Sequence, residues 1–215
     1  YEIKECDWSS DVCSSDLSVR SLNQQGAWEK LANYSGSKEH ITVAVLDSKF
    51  PKINDPVPYN RLYDYAAQRN ISDTGIGTEA HGLSVASVLA ADNGAGSMMA
   101  GALGKGTGAA SGVGALFDVL AVKIADESMT SVVHAMLYAA NAPVQENPNP
   151  NPTPAKVINI SRGSATPCPQ VFTEGLKALP DDTIVVASAG NIRKGNGNSP
   201  DRKSTRLNSS HIPLS

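Results

Sequence analysis

The spacing of apolar positions along this chain changes repeatedly, and each change marks an element. Ile41 to Asp47, ITVAVLD, is apolar or β-branched without alternation, as in a strand buried on both faces of a parallel sheet. Three later runs read the same way: Asp118–Ile124 (DVLAVKI), Lys156–Ser161 (KVINIS) and Thr183–Ser188 (TIVVAS). Between them the period becomes helical. Within Ser18–Tyr34, the residues Trp28, Leu31 and Ala32 fall at i, i+3 and i+4, and Gly36 follows as a stop. Thr78–Ala91 is small or apolar nearly all round, which predicts a buried helix. Glu127–Asn141 keeps Met129, Val132, Val133, Met136, Leu137 and Ala140 on one face and leaves His134 off it. Val171–Leu179 turns Phe172, Leu176 and Leu179 inward. Pro51–Asn70 has no clear period and reads as loop, and Pro143–Pro154 alternates Pro and Asn, as a surface loop does.

Four strands alternating with helices predict an α/β fold: three layers, a mostly parallel sheet, helices on both faces and right-handed crossovers. The two ends break the pattern. Residues 7–17 read DWSSDVCSSDL and residues 201–211 read DRKSTRLNSSH. A common sequencing-library adaptor translates to the first string, and its reverse complement translates to the second. Residues 1–6 and 212–215 fit the flanking bases. Residues 1–17 and 201–215 are therefore expected to be adaptor-derived and non-native, which leaves 18–200 as one domain or most of one.

That exclusion changes the composition. Cys6 and Cys13 go, so Cys168 has no partner for an internal disulfide and the redox compartment stays open. Removing Lys4, Arg202, Lys203 and Arg206 from 18 cations, and Glu2, Glu5, Asp7, Asp11, Asp16 and Asp201 from 21 acids, leaves 14 and 15, a net charge of −1. Such a balance gives no footprint for nucleic acid or an anionic membrane, and no apolar run is long enough to span a bilayer. Hydrophobic residues at 40% with aromatics at 5% suit a core of small aliphatic side chains. The GKGTG at Gly104–Gly108 is no phosphate loop, because Met99 and Gly106 stand where a glycine and a Ser or Thr are required. Nor is there a glycine-rich turn after the first strand, where Asp47-Ser48-Lys49-Phe50 follows, so a nucleotide-binding domain is excluded.

The candidate chemistry lies where strands end and helices begin. Asp47 closes the first strand, His81 opens the buried helix, and Asn191 follows the fourth strand. Open α/β sheets place their sites at such an edge. Near a helix N-terminus the dipole disfavours an imidazolium, which suits a neutral, proton-accepting His81. Taken singly, each residue is an ordinary turn or cap residue.

The motifs around them resemble the subtilisin-like serine peptidases. VAVLDS resembles that family's catalytic Asp motif, and HGLSVASVLAA resembles its His motif, usually HGTHVAG. VINISRGS resembles the cleft strand usually written VINMSLG, and VVASAGN resembles the motif of the oxyanion-hole Asn. GVGALFDVLAVKI and GAWEKL resemble the intervening strand region and the helix before the first strand. The likeness covers most of residues 24–191, in the family's order. It implies that Asp47, His81 and Asn191 are catalytic, with Asn191 as oxyanion donor, and that Ser161, Arg162 and Gly163 bind an extended polypeptide substrate by their backbone. It implies no cofactor and no catalytic metal, and it leaves structural calcium undecided.

Several residues depart from the family. Lys49 stands where Gly is usual, Ser84 replaces the second His, Ser87 replaces a Gly, and Arg162 replaces a Leu. An Ala/Gly-rich insertion follows the His helix. The GTS nucleophile motif is absent from residues 18–200. The resemblance therefore implies a partial peptidase domain whose Ser lies beyond this chain, and by family habit a secreted or periplasmic parent. The alternative is a non-catalytic pseudoenzyme of the same fold that binds peptides.

Overall fold

The computed structural model describes residues 24–36, 39–48, 50, 61–64, 69–70, 81–91, 101–103, 116–124, 126, 128–142, 150–162 and 168–188. Both adaptor-like ends, Lys49, Gly163 and Asn191 lie outside the described residues.

Strand β1 (Ile41–Asp47) is in the middle of the sheet. It pairs in parallel with β4 (Phe117–Lys123) on one side and with β5 (Ala155–Ile160) on the other. Beyond β4 lies β2 (Arg61–Asp64), parallel, and then the two-residue β3 (Arg69–Asn70), which is antiparallel to β2. Beyond β5 lies β6 (Ile184–Ala187), parallel. The order is β3-β2-β4-β1-β5-β6. The chain thus builds out on one side of β1 and then crosses to the other, which makes β1 a topological switch point. The sheet is mostly parallel, as the βα alternation predicts. The described residues include four helices: α1 (Gln24–Ala32), α2 (His81–Ala90), α3 (Met129–Ala139) and α4 (Gln170–Lys177). Strands β2 and β3 fall inside the stretch read as loop, Pro51–Asn70. They are too short to show a period, and Leu62 and Tyr63 of β2 are buried on opposite faces.

Helices cover both faces. Ala44, Leu46, Leu120, Val122, Ile158 and Ile160 pack on one side against Val132, Val133 and Met136 of α3 and Phe172 of α4. Val45, Leu62, Val119 and Ala121 pack on the other against Ala86 and Ala90 of α2. Both faces of β1 are thereby removed from water, which is why its sequence does not alternate. At about 1.5–3 kcal/mol for each fully buried Val or Leu side chain, β1 and β4, which bury the same set of aliphatic residues, contribute alike to the sheet.

Helix α2 is less buried than its composition predicts. Gly82, Ala86 and Ala90 form one buried stripe at i, i+4 and i+8, whereas Val88 is 66% exposed. The helix lies on a single layer and needs only one apolar face. Its small residues serve close approach to the sheet. The last turn is held by residues 101–103, whose amides donate to Ala91 O, Val88 O and Leu89 O at 3.0, 3.0 and 2.8 Å. A Cβ on Gly101 would come within 2.4 Å of the Ala90 and Ala91 backbone, so that position admits only glycine. The Trp28 indole of α1 donates to Ala102 O at 3.0 Å. Of the expected α1 face, only Trp28 is half-buried, and Leu31 and Ala32 are exposed.

Helix α3 is shorter than the apolar period suggested, because its ends are set by caps. Ser128 accepts a bond from the Ser131 amide at 3.1 Å and starts the helix. Asn141, at φ 54°, ends it in a left-handed residue. The Asn141 amide donates to Tyr138 O and the Ala142 amide donates to Leu137 O, the paired bonds of a Schellman cap. His134 is exposed, as read from the stripe. The Pro/Asn segment is not wholly surface loop. Asn151 is 1% exposed; its amide group donates to Ala139 O, and its Oδ1 accepts from Arg61 and from the Thr153 amide. This one side chain joins the end of α3 to the start of β2.

Candidate active site

Val45 belongs to the core on the α2 side, so Asp47, two residues on, projects from the same face at the carboxyl end of β1. Helix α2 crosses that face and begins with His81. The two side chains meet, with His81 Nδ1 2.6 Å from Asp47 Oδ2. Asp47 is buried, with 5% of its side chain exposed, while the imidazole keeps 55%. An ionised carboxylate only accepts hydrogen bonds, so the proton of this pair belongs on Nδ1. The tautomer is then fixed. Nε2 is left as the acceptor, on a ring that solvent or a ligand can reach. The local sequence explains the placement: the apolar run of β1 buries the acid, and the buried stripe of α2 seats the helix with its first residue over the strand end.

Neighbouring strands add to this edge. Asp47 is in register with Lys123 at the end of β4, and Lys123 is in register with Asp64 at the end of β2. Lys123 Nζ donates to Asp64 Oδ2 at 3.1 Å. This pair was missed in the sequence. Its signal was the lone cation near the end of the apolar run DVLAVKI, but Asp64 sits in a strand too short to be seen. On the other side, Leu46 is in register with Ile160, which brings Ser161 beside Asp47. Ser161 Oγ accepts from Asn159 Nδ2 at 2.9 Å, and the Ser188 amide donates to Ile160 O at 3.1 Å.

Ser161 and Arg162 are half-buried. The Arg162 charge acts on Asp126, whose carboxyl is held at about 2, chiefly by hydrogen bonds from Ser128 and Ser131 and least by Arg162. The structure thus brings Asp47 and His81 into contact and sets Ser161 and Arg162 on the adjacent strand end. Gly163 and Asn191 fall outside the described residues. Among the described residues no three His, Cys, Asp or Glu side chains gather as a metal site, and no helix is long and apolar enough to cross a membrane.

A family model described as the subtilase family, peptidase S8, matches residues 38–210. Among solved structures, proteases from Pseudoalteromonas arctica superpose with a TM-score of 0.56 at 24% sequence identity, which is a likeness of fold. The match covers 79% of this chain and 54% of the other, so this chain spans about half the length of that relative. No curated protein matches it.

Proposed function

The chain belongs to the subtilase family, and from that premise we propose that Asp47 and His81 are two members of a serine endopeptidase triad, whose serine is carried by the parent protein beyond residue 200. The contact of His81 Nδ1 with Asp47 Oδ2 at 2.6 Å is the observation that carries this reading. In it, His81 Nε2 takes the proton of the serine hydroxyl as the oxygen attacks the scissile carbonyl. The same nitrogen returns the proton to the leaving amine. Asp47 holds the tautomer and stabilises the imidazolium. Asn191 would donate to the developing oxyanion. Losing one such donor costs about 2.7–4 kcal/mol in subtilisin, a magnitude that belongs to that enzyme. Ser161, Arg162 and Gly163 would pair by their backbone with an extended polypeptide, lengthening the sheet edge. The secreted or periplasmic location of the parent rests on family habit alone.

Fluorophosphonate labelling tests the reading. The 215-residue chain is expected to stay unlabelled, because the family's nucleophile motif is absent from it. A parent chain extended past residue 200 is expected to be labelled, and to lose that label in His81→Ala. Labelling of the 215-residue chain would overturn the assignment of the nucleophile. An extended parent that takes no label but still binds extended peptides would favour the pseudoenzyme.

A further inference from the structure

We propose that Lys123 is a positioning residue for the Asp47–His81 pair, and that Asp64 sets its reach. The proposal rests on the reading of Asp47 and His81 given above. A carboxylate as buried as Asp47 needs compensating charge or hydrogen bonds. A neutral imidazole supplies a hydrogen bond and no charge. Helix α2, HGLSVASVLA, carries no charged side chain besides His81. The described cations at this edge are Lys123 on β4 and Arg162 after β5, and the Arg162 charge also acts weakly on Asp126.

Lys123 lies one strand from Asp47, in register with it, where neighbouring parallel strands are about 4.8 Å apart. Val45, Ala121 and Leu62 share the α2-side core. Two residues further along their strands stand Asp47, Lys123 and Asp64, all on that face. They form a row of acid, base and acid across three strands, with His81 lying against the end acid. An untethered lysine would compete with the imidazole for the oxygens of Asp47. Because Asp64 binds its ammonium at 3.1 Å, Lys123 acts on Asp47 through its field and leaves Oδ2 to the His81 Nδ1–H.

Among the described residues, the charged groups facing the pair are therefore Asp64 from β2, Lys123 from β4 and Arg162 from the end of β5. The test is a pH titration of the imidazole nitrogens by NMR on the full 215-residue chain. Lys123→Met removes a positive charge and is expected to raise the His81 midpoint. Asp64→Asn removes a negative charge and is expected to lower it. Lys123→Arg is expected to leave it in place.

His40, 3.4 Å from Asp118 at the opposite edge of the sheet, is the internal control and stays fixed. A purely structural role predicts no opposed pair of shifts. Equal or absent shifts of His81 in Lys123→Met and Asp64→Asn, with His40 unmoved, would overturn the proposal. Should Lys123→Met unfold and disturb His40 as well, the downward shift in Asp64→Asn and the silence of Lys123→Arg decide it. A wild-type spectrum without the Nδ1–H tautomer at His81 would overturn the site reading itself and not the role of Lys123.

Discussion

Tyr138 of α3 lies flat against Tyr63 of β2, with ring centroids 3.8 Å apart and planes 14° from parallel. Burial pushes its phenol up to about 12 from the ordinary 10.0; the neighbouring Tyr63 adds to the rise and Arg61 opposes it. The linkage has a definite sign. The folded state holds the proton more tightly than the unfolded chain, so the stabilisation is complete below pH 10 and is lost as pH rises toward about 12. Denaturant midpoints measured across that window are expected to fall, and to fall less in Tyr138→Phe. Equal slopes in the two proteins would show that Tyr138 does not govern alkaline stability. Single residues also differ in how far the sequence reveals them. Asp47 and His81 were legible through the motifs around them, VAVLDS and HGLSVASVLAA, and through the order of those motifs along the chain. Asn151 was not legible, because its burial depends on Arg61, Thr153 and Ala139, which no local pattern connects.

Among elements, the middles were legible and the ends were not. The apolar stripe of α3 runs from its first residue, Met129, to Ala140, one residue past its end, and backbone hydrogen bonding decides where the helix starts and stops. Ser128 takes the first turn and Asn141 reverses the chain. A left-handed residue with a β-branched side chain costs about 1–2 kcal/mol, whereas glycine adopts that conformation freely. Asn141→Val is therefore expected to lower the unfolding free energy by about that amount, and Asn141→Gly to leave it unchanged or raise it. Chemical denaturation checks both variants. Similar values for the two would mean that the Schellman cap contributes little. Strands β2 and β3 went unseen for a different reason: a segment of two to four residues has no period of its own, and pairing with β4 and with each other defines them.

At the scale of the whole molecule, the described helices cover the two faces of the sheet unequally. Helices α3 and α4 share one face, while on the other α2 packs over β1, β4 and β2. Strand β6 shows Ile184 and Val186 to solvent at 60% and 46% exposure, on the side away from Val185 and Ala187. Adjacent apolar side chains of that size on an edge strand favour association. Sedimentation of the 215-residue chain is expected to show concentration-dependent association that Ile184→Lys with Val186→Lys reduces. A monomer at every concentration would count against it.

The crossing of the chain over β1 also bears on time. The strand that carries Asp47 is made before either of its partners, which begin only at Phe117 and Ala155. At about 5–20 residues per second, a ribosome needs on the order of ten seconds to supply both. Pairing between such distant segments is slow by its nature. During that interval a naked, sticky strand must wait, and the acid at its tip has no pocket. A newborn chain therefore cannot hold its acid and imidazole together until most of the sheet exists, and this apolar strand stays open to other chains for all of that wait.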